Sequence, residues 1–345
     1  MKAEIKPRIN LEGRTRLETV IPLSTPFILF VDPASVCNFK CSFCPTGDRP
    51  LISDTGRWQG RLHMDNFTKI IDDLEEFDQP LKVLRLYKEG EPLLNTNLPK
   101  MIRYAKASRQ VPYIDTTTNG YLLTPKNVDA LIEAGLDRIN ISVDGLSDEM
   151  FWDLTKTKVD FKKFVEQIKY LADNRGQCEI CIKMIGDKLS EDEKKKFFDI
   201  FGDLCDRIAL ENLAPCWPEF DADVRMGVEI TQGIYQQEIG DVDTCPYIFY
   251  SISVNSDGTV SLCFLDWARK LVIGDTRTQS LKSIWEGEAL FQHRLAHLQG
   301  NRKANPVCAA CGQLSHCMPD SIDPYRAMLA EKLIASRHSL DAVMA

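Results

Sequence analysis

Cys37, Cys41 and Cys44 fall within the eight residues CNFKCSFC, directly after an apolar run. Three thiolates in one loop can hold three irons of a cubane cluster and leave the fourth iron open to an outside ligand. A structural zinc site wants four protein ligands, and no neighbouring Cys or His completes this loop. A second group comprises Cys245, Cys263, Cys308, Cys311 and Cys317, the last three in CAACGQLSHC. Five thiols are more than packing needs, and a four-thiolate site holds either zinc or an iron-sulfur cluster, which spacing does not decide. Cys178 and Cys181 in CEIC would point to opposite faces of a strand, so they are expected to be structural, as is Cys205. Cys216 stands beside Trp217 and Pro218, where the first unit ends, a place for a substrate mouth. Of the histidines His63, His293, His297, His316 and His338, only His293 and His297 share a helix face, and without the Glu of HExxH they read as helix surface.

The elements that must position these thiols follow from periodicity. From Phe27, β-rich runs alternate with helical stretches: FILFVDP, VLRLYKE, YIDTTTNG, RINISVDG, EICIKMIG and RIALENL, separated by amphipathic segments such as MDNFTKIIDDLEEF and FKKFVEQIKYLADN. This is the rhythm of βα units around a parallel sheet, and six of them make an α/β fold of the incomplete (β/α)6 barrel type. The first cysteine loop then lies at the C-terminal end of the first strand, the face where barrels place chemistry. After Pro215 the rhythm breaks. Residues 216–242 read as a linker, and 243–320 as a small α+β unit with a hairpin, YIFYSISV and TVSLCFL around NSDG, followed by a helix over SLKSIWEGEALFQHRLAHL. Residues 1–26 are an N-terminal extension, and 321–345 a closing helix and tail.

The 345 residues carry 42 basic and 50 acidic side chains, a formal charge of -8, with 44% hydrophobic and 27% charged residues. Those proportions exclude a disordered or low-complexity chain, and the negative field disfavours nucleic acid and anionic membrane as partners. No apolar run approaches the roughly 18 residues of a membrane span, and the start MKAEIKPRINLEGRTR lacks the apolar stretch of a secretory signal. The expected location is the cytoplasm, where thiols stay reduced and clustered cysteines bind metal.

The first cysteine loop, with Phe43 before its third cysteine, resembles the signature of the radical S-adenosylmethionine superfamily. The resemblance implies a 4Fe-4S cluster on Cys37, Cys41 and Cys44, whose open iron is chelated by S-adenosylmethionine, and a 5'-deoxyadenosyl radical formed by reductive cleavage. YKEGEP looks like the family's Gly-Gly-Glu-Pro segment that binds the cofactor's amino group, carried by Glu89, Gly90, Glu91 and Pro92, with Glu89 in place of the first glycine. Ser142 matches a position that contacts the cofactor's carboxylate or ribose. Lys183 is expected to face that carboxylate, and Thr117 and Asn119 in TTTNG to reach the ribose.

The second group resembles the auxiliary-cluster domains called SPASM, or in shorter form twitch. A cysteine, twelve residues, a glycine, four residues and a cysteine match at Cys245, Gly258 and Cys263, but Ser321 stands where the full pattern has a further cysteine. The resemblance therefore implies one auxiliary 4Fe-4S cluster on Cys245, Cys263, Cys308 and Cys311, with Cys317 able to replace one of the last two. Related epimerases use a cysteine to return a hydrogen atom, a role open to Cys317 or Cys216.

The expected function is hydrogen abstraction from a small polar, sugar-type metabolite, leading to epimerisation, dehydrogenation or elimination, with an electron donor such as flavodoxin or ferredoxin. Peptide modification is the alternative, set lower because only about 26 residues precede the first strand. A glycyl-radical activating enzyme and a zinc-stabilised binding protein without radical chemistry are more distant readings.

Overall fold

The computed structural model describes residues 1–10, 12–240, 242–317 and 319–344. Its ten strands form one open sheet: β1 (Glu4–Ile5), β2 (Ile28–Val31), β3 (Val83–Arg85), β4 (Ile114–Thr118), β5 (Arg138–Ser142), β6 (Glu179–Ile185), β7 (Arg207–Glu211), β8 (Ser251–Val254), β9 (Thr259–Ser261) and β10 (Val272–Asp275). The order across the sheet is β1-β7-β6-β5-β4-β3-β2-β8-β9-β10. From β2 to β7 every neighbouring pair is parallel. These six strands with intervening helices make the incomplete barrel that the alternating pattern predicts, and it does not close.

The helices form for readable reasons. Met64–Asp72 and Phe161–Asn174 bury Phe67, Ile70 and Ile71 and Phe164, Ile168 and Leu171, an apolar stripe at helical spacing. Glu191–Phe201 starts at a capping box, Ser190 and Glu193 each satisfying the other's backbone N–H.

The structure corrects the sequence reading at four places. Glu4–Ile5 in the extension is a strand, parallel to β7. Two exposed residues carry no periodic signal. Tyr247–Tyr250 form a helical turn instead of the first half of the hairpin strand. The second hairpin strand ends at Ser261, because the Asp266 carboxylate accepts from the backbone of Lys270 (2.9 Å) and Leu271 (3.0 Å) and folds the chain back into β10. A Cβ on Gly274 of that strand would lie 2.7 Å from Ile284 Cγ1, so only glycine lets it pack there. The single helix expected over 280–298 is two, Leu281–Trp285 and Glu288–Leu298, parted at Gly287.

The second unit is joined to the first through the sheet: β8 lies parallel to β2 in register Ile28 to Ser251 through Val31 to Val254. The β8–β9 pair is the antiparallel hairpin expected around NSDG. Among the described residues no helix is long and apolar enough to cross a membrane.

Candidate functional site

The first cysteine loop begins at the C-terminal end of β2 and is pinned from three sides. Phe39, 1% exposed, sits between Phe151 and Tyr121. Lys40 N donates to Thr155 O (2.8 Å) and Ser42 N to Leu154 O (3.3 Å). Phe43, expected near the cofactor, packs in a small apolar cluster with Ile52, Leu213, Phe220 and Trp267, tying the loop to the segment after β7. All twelve cysteines are unbridged. Burial pushes the Cys37 thiol up to about 12 and the Cys41 thiol well above the ordinary value, with the charges of neighbouring Cys44 and Asp144 adding to the rise. Burial raises the Cys44 thiol too, and three thiols held protonated in this way need positive charge to become thiolates, which a multi-iron cluster supplies.

Donors are in place for sulfur, the backbone Phe39 N lying 3.4 Å and the side-chain Asn119 Nδ2 3.8 Å from Cys37 Sγ. Asn119 thus serves the cluster loop, also donating to Asn38 Oδ1 (2.9 Å). The Thr117 hydroxyl is buried with no partner, a free donor at the end of β4.

YKEGEP divides its duties between opposite sides of the chain. Gly90 allows the closest approach: a Cβ there would lie 2.2 Å from Ala34 O and 2.3 Å from Val36 O, in the turn leading to Cys37. Glu91 accepts from Leu93 N (3.0 Å), the Thr118 hydroxyl (2.7 Å) and Asn119 N (2.8 Å), so its carboxylate braces β3 against β4. Pro92 opens the next turn. Glu89 faces the other way. Its carboxylate pairs with Arg57 and Lys88, both fully buried, and lies 3.6 Å from Arg269. Burial alone would raise its pKa, but these three cations hold it below the ordinary carboxylate value. Arg57 also donates to Trp267 O (3.0 Å) and Lys88 to Asn255 Oδ1 (2.8 Å), so Glu89 ties the first cysteine loop to the segment around Cys263. None of Arg57, Lys88 or Arg269 was singled out from sequence: Arg57 and Arg269 stand in no motif, and Lys88, though inside YKEGEP, is not one of the positions the family pattern specifies.

Asp32 lies beside this network with both oxygens buried and without a donor. Burial, then repulsion from Glu89, raises its pKa from 3.8 to about 6. A carboxyl that holds its proton more tightly folded than unfolded destabilises the fold as pH rises: the penalty is absent below about pH 4, grows between 4 and 6, and is complete above 6. Asp32→Asn is therefore expected to stabilise the protein by about 2 to 3 kcal/mol at pH 7.5 and hardly at all at pH 4. Urea midpoints at the two pH values check this, and equal shifts at both would refute it.

The interior of the barrel is polar. Strand alternation aims Tyr87, Thr117, Ser142, Lys183 and Glu211 inward. Ser142 sits beside Lys183 in the β5–β6 register. Lys183 Nζ contacts Glu211 Oε2 at 2.6 Å, and the Tyr235 hydroxyl lies 3.3 Å from Glu211 Oε1. Burial opposes ionisation of Glu211, but Lys183 and Arg8 hold its pKa below the ordinary value. Arg8 comes from the N-terminal extension, which is held under the barrel by Arg138 Nη2 to Arg8 O (2.7 Å) and Arg207 Nη1 to Asn10 Oδ1 (2.8 Å). Its guanidinium donates to the Tyr87 hydroxyl (2.8 Å), to which Arg85 also donates (3.2 Å). Glu211 lies within the predicted strand RIALENL and could have been found there; Arg8 and Tyr235 stand in no motif.

The second cysteine group divides. Cys245, Cys263, Cys308 and Cys311 line one apolar cavity, together with Asp266, His297, Arg302 and Leu314. Cys317 does not line it. It lies within electrostatic reach of Glu211, Cys311, Arg8 and Lys183, and Cys216 within reach of Cys317 and Cys311, so these two thiols stand between the cavity and the barrel interior. Stacked Phe30 and Phe264 (4.7 Å), then Tyr247 (5.3 Å from Phe264), bridge the same gap.

The helix-surface reading of His297 is wrong. It is 2% exposed, because Glu288–Leu298 packs against Tyr247–Tyr250, and neither ring nitrogen has a partner. Burial, and then the charge of Arg302, drives its pKa down to about 3, so the imidazole is neutral. Among the described residues no group of three His, Cys, Asp or Glu side chains converges on a point that would hold a single metal ion. The four-cysteine cavity with an orphaned imidazole fits a larger cluster.

Residues 31–199 match the family model of the radical SAM superfamily, and residues 245–312 that of an iron-sulfur cluster-binding domain, SPASM. A GTP 3',8-cyclase of Chlorobaculum tepidum is 35% identical over 122 residues, covering 35% of this chain and 34% of the relative. A probable GTP 3',8-cyclase of Methanococcus maripaludis is 37% identical over 121 residues, covering 34% and 37%. The chain thus matches about a third of the length of these curated relatives. In fold, it resembles BtrN in complex with AdoMet and 2-DOIA (TM-score 0.56, 18% identity, 86% of this chain and 97% of that one). It likewise resembles Streptococcus suis SuiB bound to precursor peptide SuiA (TM-score 0.60, 15% identity, 92% and 75%). With the three-cysteine loop at the end of β2, the brace at Glu91 and the four-cysteine cavity, these matches establish that the chain belongs to the radical S-adenosylmethionine superfamily and carries a SPASM iron-sulfur domain.

Proposed function

We propose that the protein removes a hydrogen atom from a C–H bond of a small polar, sugar-type metabolite held inside the barrel. The observation that carries this reading is the set Arg8, Tyr87, Lys183, Glu211 and Tyr235, which gathers cations, hydroxyls and a carboxylate into one hydrogen-bonded polar group on the inner side of the sheet. These groups pair with one another, and a hydroxyl-rich ligand can join or exchange those hydrogen bonds, whereas an apolar one could only break or desolvate them. When bound, S-adenosylmethionine on its reduced 4Fe-4S cluster supplies the hydrogen-abstracting power, with one electron drawn from a donor such as a flavodoxin or ferredoxin.

In this reading Cys37, Cys41 and Cys44 hold the first cluster. Backbone at Gly90 and Pro92, with Ser142, Lys183 and the free Thr117 hydroxyl, orients the cofactor. Arg8, Tyr87 and Tyr235 fix the substrate and, with the N-terminal segment beneath, exclude water. Cys245, Cys263, Cys308 and Cys311 hold one auxiliary cluster. Cys317 and Cys216, lying between that cavity and the barrel, are placed to return a hydrogen atom where the outcome is redox-neutral. The aromatic bridge of Phe30, Phe264 and Tyr247 favours an electron leaving toward the auxiliary cluster where the outcome is oxidation.

The test is anaerobic incubation of the reconstituted enzyme with S-adenosylmethionine, a reductant and deuterated sugars, aminocyclitols or nucleotide sugars, with peptides as controls. Deuterium in the 5'-deoxyadenosine formed identifies the substrate. Transfer from peptides alone would overturn the sugar reading, and no cleavage in a fully loaded, reduced sample would overturn the enzyme reading. With a substrate in hand, Arg8→Ala is expected to lower kcat/KM about 10- to 100-fold, the range for losing one charged hydrogen bond, with substrate-free cofactor cleavage unchanged. An equal fall in both rates would remove Arg8 from substrate binding.

A further inference from the structure

His297 is a buried imidazole with nothing to bond. Both ring nitrogens are enclosed and unpartnered, on a side chain 2% exposed. Such a group destabilises a fold by about 1 to 3 kcal/mol for each unmet bond, so its burial calls for a partner. His297 lines the cavity that gathers Cys245, Cys263, Cys308 and Cys311. The polar groups near it are engaged elsewhere: on the same cavity Arg302 donates to Asp243 O (2.7 Å) and to Cys308 O, the Asp266 carboxylate accepts from Lys270 N (2.9 Å) and Leu271 N (3.0 Å), and Arg294, one turn back, donates to Ile248 O (2.9 Å). What the cavity can add is cluster sulfur.

We infer that His297 donates an N–H hydrogen bond to a sulfur of the auxiliary cluster and thereby raises that cluster's reduction potential. The inference rests on the auxiliary-cluster reading. Reduction adds negative charge to the sulfurs, so a donor aimed at them stabilises the reduced state more than the oxidised one. An imidazole N–H does this from the cavity wall, and it leaves all four cysteines as ligands. The consequence for chemistry is direction: a raised potential makes the auxiliary cluster an acceptor for an electron from a substrate radical.

The experiment uses the full-length chain, labelled with 15N-histidine and carrying Cys37→Ala, Cys41→Ala and Cys44→Ala so that only the auxiliary cluster can load. About four irons establish that cluster; zinc or no metal would sink the cluster reading and this inference with it. In the loaded, reduced sample, electron-nuclear hyperfine spectra are expected to show one weak 15N coupling and one exchangeable proton that disappears in D2O. Both should vanish in His297→Phe. Midpoint potentials should fall in His297→Phe and recover partly in His297→Gln, which keeps a donor. A loaded cluster with no histidine coupling would overturn the hydrogen bond alone. A strong coupling, as from direct ligation, would overturn the donor role, and a potential unchanged in His297→Phe with full iron would overturn the tuning.

Discussion

Replacing Glu89 by glycine, the residue the family pattern carries at that position, is expected to destabilise the protein by about 3 to 5 kcal/mol, the range for removing one partner of a buried ion pair. That is a large part of the roughly 5 to 15 kcal/mol by which a domain is stable. The reason is what remains. Arg57 and Lys88, both at 0% side-chain exposure, would lose their acid partner, and Arg269, at 5%, would keep Asp257 at 2.6 Å and the Ser256 hydroxyl at 3.3 Å. Glu89→Gln, which preserves shape and some hydrogen bonding, should fall between wild type and Glu89→Gly. Urea denaturation of the three proteins measures this. A loss under 1 kcal/mol for the glycine variant would show that the cations find water or other acceptors, and that the departure from the family pattern is neutral.

Converting Cys37, Cys41 and Cys44 together to alanine is expected to abolish cofactor cleavage while the fold survives. Iron should drop from about eight per chain to about four, with the remaining iron in the auxiliary cavity. The loop is held by Phe39 in its aromatic pocket and by the backbone bonds to Thr155 and Leu154, none of which uses a thiol. Thermal unfolding of the metal-free variant should therefore match that of metal-free wild type. Residual cleavage of S-adenosylmethionine would mean that other residues hold the active cluster. The reciprocal change, alanine at Cys245, Cys263, Cys308 and Cys311, should remove the other half of the iron.

Much of this could be read from sequence because the relevant forces are local. The six parallel strands are regular runs with helical stretches between them, and CNFKCSFC puts three ligands in one loop whatever the rest of the chain does. Residues whose meaning depends on distant partners were not legible. Glu89 looked like a defect in a glycine motif, since nothing nearby in sequence announces Arg57 or Arg269. His297 looked like helix surface, since a polar residue at i, i+4 from another histidine satisfies that pattern, and only the packing of its helix on Tyr247–Tyr250 buries it. Ser251–Val254 looked only like a strand of the hairpin around NSDG, and its alternating serines gave no sign of a second neighbour. All four residues are buried, since β2 takes the free edge. The four-cysteine cavity was anticipated, while the place of Cys317 outside its lining depends on a loop conformation that spacing does not encode.

The parallel pairing of β2 with β8 also acts as a ruler. Cys37 follows β2 and Cys263 follows the β8–β9 hairpin, so the separation of the two metal-binding loops is set by which rungs of a backbone ladder meet, Ile28 with Ser251 and Val31 with Val254. Such a separation changes only in steps of one residue, about 3.3 Å, and each step would turn the buried side chains of β8 to the wrong face. Segments between units can lengthen, shorten or drift without altering it. Any traffic of electrons between the loops therefore crosses a gap fixed by strand register, which thermal motion of the connecting chain does not stretch.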